Sequence, residues 1–280
     1  MLLGAPVKAM MVIVNSVTMR LVRLWALNAV AQATALAQID PTRASETHPV
    51  SDGWLILSGR NMYVNRAMAV GISAPVSREE IDSVILRLRH IGLVPAFEVT
   101  PATLPAMVRL LAGQGFMHDP SADVTALIRP ISEKLMDPPD DVVVRPVTDE
   151  ASLALWQEVS AAGWGHTDTR ARAASDAFAR AAFVTDQDGI TIAFDVNDGR
   201  PVGCASVTIR DGLATLGGMS TLPDQRRRGV QAALVHHRLR FAAMRGCDQA
   251  ATTAATGSAS ERNLRRHGFK PVFEIETWKS

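Results

Sequence analysis

Cysteine is scarce in this chain. Only Cys204 and Cys247 occur, with no CxxC pair and no His/Cys cluster at ligand spacing. A disulfide framework and a structural zinc are therefore not expected, no metal is implied, and a reducing, cytoplasmic setting fits. An excess of one charge is missing too: 29 Lys and Arg stand against 28 Asp and Glu, a formal net charge of +1. No global field pulls the chain toward nucleic acid or an anionic membrane, so neither partner is expected and any basic site must be local. No run approaches the ~18 consecutive apolar residues of a membrane span. Tyrosine occurs once, at Tyr63. What is present, 47% hydrophobic and 20% charged residues, suits packed domains. A length of 280 residues allows one large or two ordinary ones.

The start of the chain imitates a secretory signal: Met19 to Arg23, an apolar stretch from Leu24 to Val30, then small residues from Ala33 to Ala37. Asn28 and Gln32 dilute that stretch, and Leu21, Leu24, Trp25 and Leu27 suit one face of an Ala-rich helix. A helix over 19–38 is the reading, with residues 1–18 as a leader, disordered or loosely ordered. A break follows at 132–141, where Pro138 and Pro139 crowd among Glu133, Lys134, Asp137, Asp140 and Asp141. Paired prolines continue neither helix nor central strand, so this segment reads as a linker between a domain at 19–131 and one at 142–280.

The first domain reads as strands at 54–58 and 63–72, a helix at 78–91 opened by a Ser77/Glu80 capping box, a strand at 96–100, a helix at 101–113 and a strand at 124–129. The second reads as a strand at 142–147, helices at 149–161 and 170–183, and strands at 190–196, 201–209 and 214–221. The turns Asn197-Asp198-Gly199 and Asp211-Gly212 join those strands as hairpins. A helix at 230–245, a strand at 249–253, a helix at 259–267 and a strand at 270–278 complete it. Both series share a ruler, since Pro75 to Gly92 and Gly229 to Gly246 are equally spaced, and each ends in a helix followed by Gly-Phe (Gly115-Phe116, Gly268-Phe269). Internal duplication of an α/β unit is expected.

The chemistry concentrates at Thr221-Leu222-Pro223-Asp224-Gln225-Arg226-Arg227-Arg228-Gly229-Val230-Gln231-Ala232. An apolar strand stops at Pro223, three arginines follow, and a glycine opens a long helix. A helix start leaves N–H groups unpaired at the positive end of its dipole, and so binds phosphate. Gly229 lets the backbone approach closely, and arginines add charge-assisted hydrogen bonds. A pyrophosphate is the natural guest.

With Ser258-Ala259-Ser260-Glu261-Arg262-Asn263-Leu264 ahead of Gly268-Phe269, this stretch resembles the GNAT superfamily of N-acetyltransferases. Thr221-Leu222-Pro223 stands for its strand end and Arg226-x-x-Gly229-x-Gln231 for its pyrophosphate loop. The resemblance covers about half the chain, with Gln231 where the family has a small residue. It implies two GNAT-like domains of α/β (α+β) class, each a mixed, mostly antiparallel sheet flanked by helices. Acetyl-CoA would be the cosubstrate, held by Met219, Ser220, Thr221, Arg226, Arg227, Arg228, Gly229, Val230, Gln231, Ala232 and Asn263. It further implies that Met219 to Thr221 splays from its neighbour at a bulge near Gly217-Gly218, where a backbone N–H polarises the thioester.

The tyrosine that often protonates the leaving thiolate is replaced by Leu264, which leaves water or Ser260 as the donor. Glu158, His166, Asp168 and Glu274 are the nearby titratable groups for a base; Trp156, Trp164 and His166 could wall an acceptor pocket. In the first domain the matching loop carries Glu79 and Glu80, which suits a helix dipole but repels phosphate. The expectation is an acetyltransferase acting on a small-molecule primary amine in a ternary complex, monomer or homodimer. A non-catalytic CoA sensor and an aminoacyl-tRNA-dependent transferase are the alternatives.

Overall fold

The computed structural model describes residues 5–60, 62, 64–132, 134, 137–185 and 189–280, with side chains from Ser16 onward. Tyr63 lies outside them. In chain order the elements are α1 (Ala5–Ile39), β1 (Glu46–Val50), β2 (Gly53–Leu57), β3 (Asn65–Met68), α2 (Arg78–His90), β4 (Ala96–Val99), α3 (Pro105–Gly113), β5 (Met117–His118), β6 (Val124–Pro130), β7 (Val142–Pro146), α4 (Glu150–Trp164), α5 (Thr169–Thr185), β8 (Ile190–Asp195), β9 (Pro201–Arg210), β10 (Leu213–Thr221), α6 (Val230–Met244), β11 (Gln249–Ala255), α7 (Ala259–Arg266) and β12 (Lys270–Lys279). The class is mixed α/β, with mostly antiparallel strands. Among the described residues, no helix is long and apolar enough to cross a membrane.

Two compact units are present, and they do not divide the chain at one point. The first comprises Met1–Ala126, Ala254–Glu261 and Pro271–Ser280; the second comprises Leu127–Thr253 and Arg262–Lys270. This differs from the expected cut at 132–141. The physical reason is β12, which pairs antiparallel with β4 (Glu276↔Val99 to Lys279↔Ala96) and with β5 (Trp278↔His118). Helix α1 begins at Ala5, within the stretch expected as a leader.

In the first unit β1 and β2 form a hairpin with a two-residue turn, Val50 facing Gly53, and Ser51 takes a left-handed φ of 51° there. β3 pairs antiparallel with β2 and parallel with β4 at one position, Ala67↔Phe97. Helix α2 starts as expected: Ser77 Oγ accepts from Glu80 N–H while Glu80 returns the bond to Ser77 N–H. Its buried Ile81, Val84 and Leu88 recur at helical spacing. They join Leu55, Leu57, Phe97, Met107 and Leu111 in the core.

In the second unit β7, β8, β9 and β10 run antiparallel in sequence, and β11 adds parallel to β10. Alternation along the strands divides the core in two. Trp156, Val159, Ala179, Ile192 and Cys204 pack on the face that α4 and α5 cover. Ala193, Val202, Ala205, Val230 and Leu234 pack on the face under α6. The β9–β10 turn is Asp211-Gly212, both at positive φ (48° and 70°), the pairing a two-residue hairpin of this twist requires.

Candidate functional site

The parallel ladder between β10 and β11 is short, running from Leu213↔Gln249 to Thr215↔Ala251. On its other edge β10 pairs with β9 up to Gly217↔Ser206, then resumes at Ser220↔Cys204, and the register shifts between. Gly218 lies inside this bulge at φ +54°. A side chain there would sit 2.8 Å from Ser206 Oγ, which would have to turn away, and 3.5 Å from the Trp156 ring, so the position favours glycine chiefly on torsion. Beyond the bulge, Ser220 turns its hydroxyl away, donating to Val159 O (3.3 Å) and lying 3.4 Å from Cys204 Sγ. The Ser220 side chain therefore belongs to the core.

After β10, one short turn (Pro223–Gln225) leads through the arginines to α6. Arg227 has φ +65° and Gly229 φ +78°, ψ 0°, so the chain alternates hand just before the helix. Among the described residues, no side chain caps α6. The first intrahelical bond is Ala233 N–H to Gly229 O, which leaves the N–H groups of the first turn open, an anion-binding arrangement. Helix α7 meets this turn through Asn263, whose side-chain amide donates to Gln231 Oε1 at 2.6 Å.

The family model described as "Acetyltransferase (GNAT) family" matches residues 153–269. Over that stretch the chain is similar to a GNAT domain. No curated protein matches the chain. Among solved structures, a GCN5-related N-acetyltransferase from Kribbella flavida superposes with TM-score 0.63 at 19% identity, over 90% of this chain and 95% of its own. A tandem GNAT protein from the clavulanic acid biosynthesis pathway, without AcCoA, gives 0.58 at 16% identity over 82% and 78%. A GCN5-related N-acetyltransferase from Sphaerobacter thermophilus gives 0.57 at 16% over 71% and 64%. At these identities the likeness is one of fold.

Within the matched residues, the three arginines differ in what they touch. Arg226 donates to Gly163 O (3.0 Å) at the end of α4. Arg228 bridges Gln225 Oε1 (2.5 Å) and Asp195 Oδ2 (2.9 Å). Hydrogen bonds from Asn197, with Arg228 behind them, hold the Asp195 carboxyl below its usual value. Arg227 is exposed and has no partner among the described residues, which leaves its charge available to a ligand. Val230 is buried and Ala232 half-buried, so both offer backbone only.

Helix α4 ends beside the β10 edge. A Cβ on Gly163 would lie 2.5 Å from Ser220 Oγ and 3.2 Å from Thr221 N. Trp164, 59% exposed, and His166, past the left-handed Gly165, follow directly. Trp156 is core, 4% exposed, with Nε1–H donating to Ala205 O. Asp168 accepts from Arg170 and Ala171 N–H and starts α5, so it is a cap rather than a base. Glu158 and Glu274 are exposed.

On α7, Ser258 accepts from Glu261 N–H and Glu261 accepts from Gly257 N–H, a capping arrangement. Ser260 is exposed without a partner among the described residues. Leu264 is buried, so it offers neither a proton nor a hydroxyl.

In the first unit, three N–H groups between β3 and α2 are held by one carboxylate. Asp52 in the β1–β2 turn accepts from Gly71 N–H (2.7 Å), from Ala74 N–H (3.0 Å), from Ser73 Oγ (2.8 Å) and from Ser73 N–H. Burial alone would push this carboxyl up, but those donors outweigh it and hold it below its usual value.

Sequence reading passed over Arg238. It lies in the middle of α6 among apolar neighbours, 1% exposed, with its guanidinium on the β10 bulge. A charged residue at a core position of an amphipathic helix was the available signal.

Proposed function

We propose that the chain is an N-acetyltransferase that moves an acetyl group from acetyl-CoA to a primary amine of a small molecule, by direct attack in a ternary complex. The observation that carries this is the junction of the β10 bulge with the uncapped start of α6. Open N–H groups, the dipole and the Arg227 charge suit a pyrophosphate, and the strand edge freed by the bulge suits an extended amide-bearing arm. The residues assigned to the cosubstrate are Met219 to Thr221 by backbone, Arg226 to Ala232, and Asn263.

In this reading the edge beyond the bulge donates an N–H to the thioester carbonyl, where negative charge develops. Such a preorganised donor contributes typically a few kcal/mol. Trp164 and His166 border the acceptor, and Ser260 is assigned as proton donor to the thiolate. A thiol of pKa near 8.5 leaves with little help, which accommodates Leu264 at the family's tyrosine position. We further propose that the first unit is a duplicated copy without cosubstrate, its loop closed by Asp52. The chain would work in the cytoplasm as a monomer or homodimer, without nucleic acid, membrane or metal.

Acetyl-CoA consumption with a panel of primary amines tests the reading. Turnover with any amine supports it. Binding of acetyl-CoA without turnover across the panel favours a non-catalytic sensor, the reading that buried Leu264 would support.

A further inference from the structure

Arg238 is a fully buried cation with no carboxylate against it among the described residues. Its Nε donates to Leu234 O (3.1 Å) on its own helix, Nη1 to Ser206 O (3.1 Å) and Gly217 O (3.3 Å), and Nη2 to Met219 Sδ (3.0 Å). Burial pushes its pKa down to about 9, with Cys204 opposing the shift, so it is cationic at neutral pH. Packing alone would be better served by methionine or leucine, because a desolvated charge held only by neutral acceptors is expensive. The acceptors are not scattered. Ser206 and Gly217 are the last pair of the β9–β10 ladder before the register shifts, and Met219 lies within the bulge, just before pairing resumes at Ser220. The planar fork spans the break.

We propose that Arg238 is a positioning residue that holds the β10 bulge in the shape that turns the Met219–Thr221 backbone toward the thioester end of acetyl-CoA. This rests on the acetyl-CoA reading above. The guanidinium fixes Gly217 O, the point from which the strand departs from its partner. It also polarises that peptide group, which makes the Gly218 N–H a stronger donor. Arg238 itself is too deep to touch substrate, so its effect passes through the backbone.

The test separates the two ends of the cosubstrate. Arg238→Met keeps length and removes the charge; Arg238→Lys keeps charge and removes the fork. Each is titrated calorimetrically with acetyl-CoA and with 3′-phospho-ADP, which lacks the pantetheine arm, after thermal unfolding has established that it is folded. The nucleotide should bind within about threefold of wild type in both variants. Acetyl-CoA should bind at least tenfold more weakly to Arg238→Met, kcat should fall at least tenfold, and Arg238→Lys should recover part of each.

Equal losses for both probes would show general damage to α6 and overturn the proposal. So would acetyl-CoA affinity and kcat within twofold of wild type in folded Arg238→Met. If Arg238→Met does not fold, the same two outcomes are read from Arg238→Lys. A wild type that transfers no acetyl group while the probe difference persists refutes the transferase reading and leaves the role of Arg238 standing.

Discussion

Asn263 of α7 donates to Gln231 of α6 at 2.6 Å, while Asn263 Oδ1 accepts from Arg266 Nη1 at 2.9 Å. The two motifs that carry the family resemblance are thus in direct contact, and Gln231, at a position where the family has a small residue, has a partner. Gln231→Ala and Asn263→Ala should each weaken acetyl-CoA binding several-fold. The double variant should be no worse than the poorer single one, a coupling of about 1 kcal/mol in a double-mutant cycle. Strictly additive losses would make the contact incidental.

The arginines should separate by role. Arg227→Ala should weaken acetyl-CoA about tenfold, ~1.4 kcal/mol, with an unchanged unfolding temperature and a smaller effect in 1 M salt. Arg228→Ala should mainly lower the unfolding temperature, because the Arg228 side chain is engaged by Asp195 and only its backbone is left for the cosubstrate. Binding and thermal scans on both variants decide the assignment.

At Gly229 the added atom matters as much as the charge. A Cβ there would fall 2.8 Å from Pro139 Cγ, on a residue at φ +78°. Gly229→Ala should cost roughly 1–2 kcal/mol of stability for the left-handed torsion alone. Gly229→Glu should add at least a tenfold loss of acetyl-CoA affinity. Acetylpantetheine, which has no phosphates, should bind the folded Glu variant almost as it binds wild type; an equal loss would make the loop purely structural.

The two serines of α7 make opposite forecasts. Ser258→Ala removes a cap and should cost ~1 kcal/mol with kcat intact per folded molecule. Ser260→Ala should leave the unfolding temperature alone and lower kcat tenfold to a hundredfold with little change in KM. Tyr63→Phe should stay within twofold. A hundredfold loss at Tyr63 would transfer the proton donor to the first half of the chain.

Acid stability should report on the first unit. Asp119 is held at about 2 by hydrogen bonds from Lys279 and Ser121, and Asp52 lies below its usual value because its four donors outweigh burial. A depressed carboxyl stabilises fully above its unfolded value, near 4, and loses that contribution as pH falls through the folded value. Unfolding midpoints measured from pH 5 to pH 2 should fall more gently in Asp119→Asn than in wild type. Parallel curves would remove the Lys279 contact from the account.

Much of this was legible in the chain. The Ser77/Glu80 box, the Asp211-Gly212 hairpin, the bulge at Gly218 and the glycine at the head of α6 all rest on local rules of torsion and capping, and each stands where those rules put it. What escaped involves distant partners. Arg238 reads as a charge on a helix until Gly217 O and Ser206 O are placed against it. Asp52 carries no local signal, and its role shows only once Gly71, Ser73 and Ala74 are found on its carboxylate. The strands β1 and β5 are short, and Pro49 lies within β1, so neither offers a clean alternation.

The pairing of β12 with β4 and β5 has a consequence for synthesis. While a ribosome makes the chain, the first unit has emerged through Ala126 without the strand that borders β4, and it stays so until nearly all of the second unit has been made. An open strand edge is a template for other chains. Newly made first units should therefore be the form of this protein that chaperones engage, and stalling translation before Lys270 should yield a nascent chain far more protease-sensitive in its first half than one released whole.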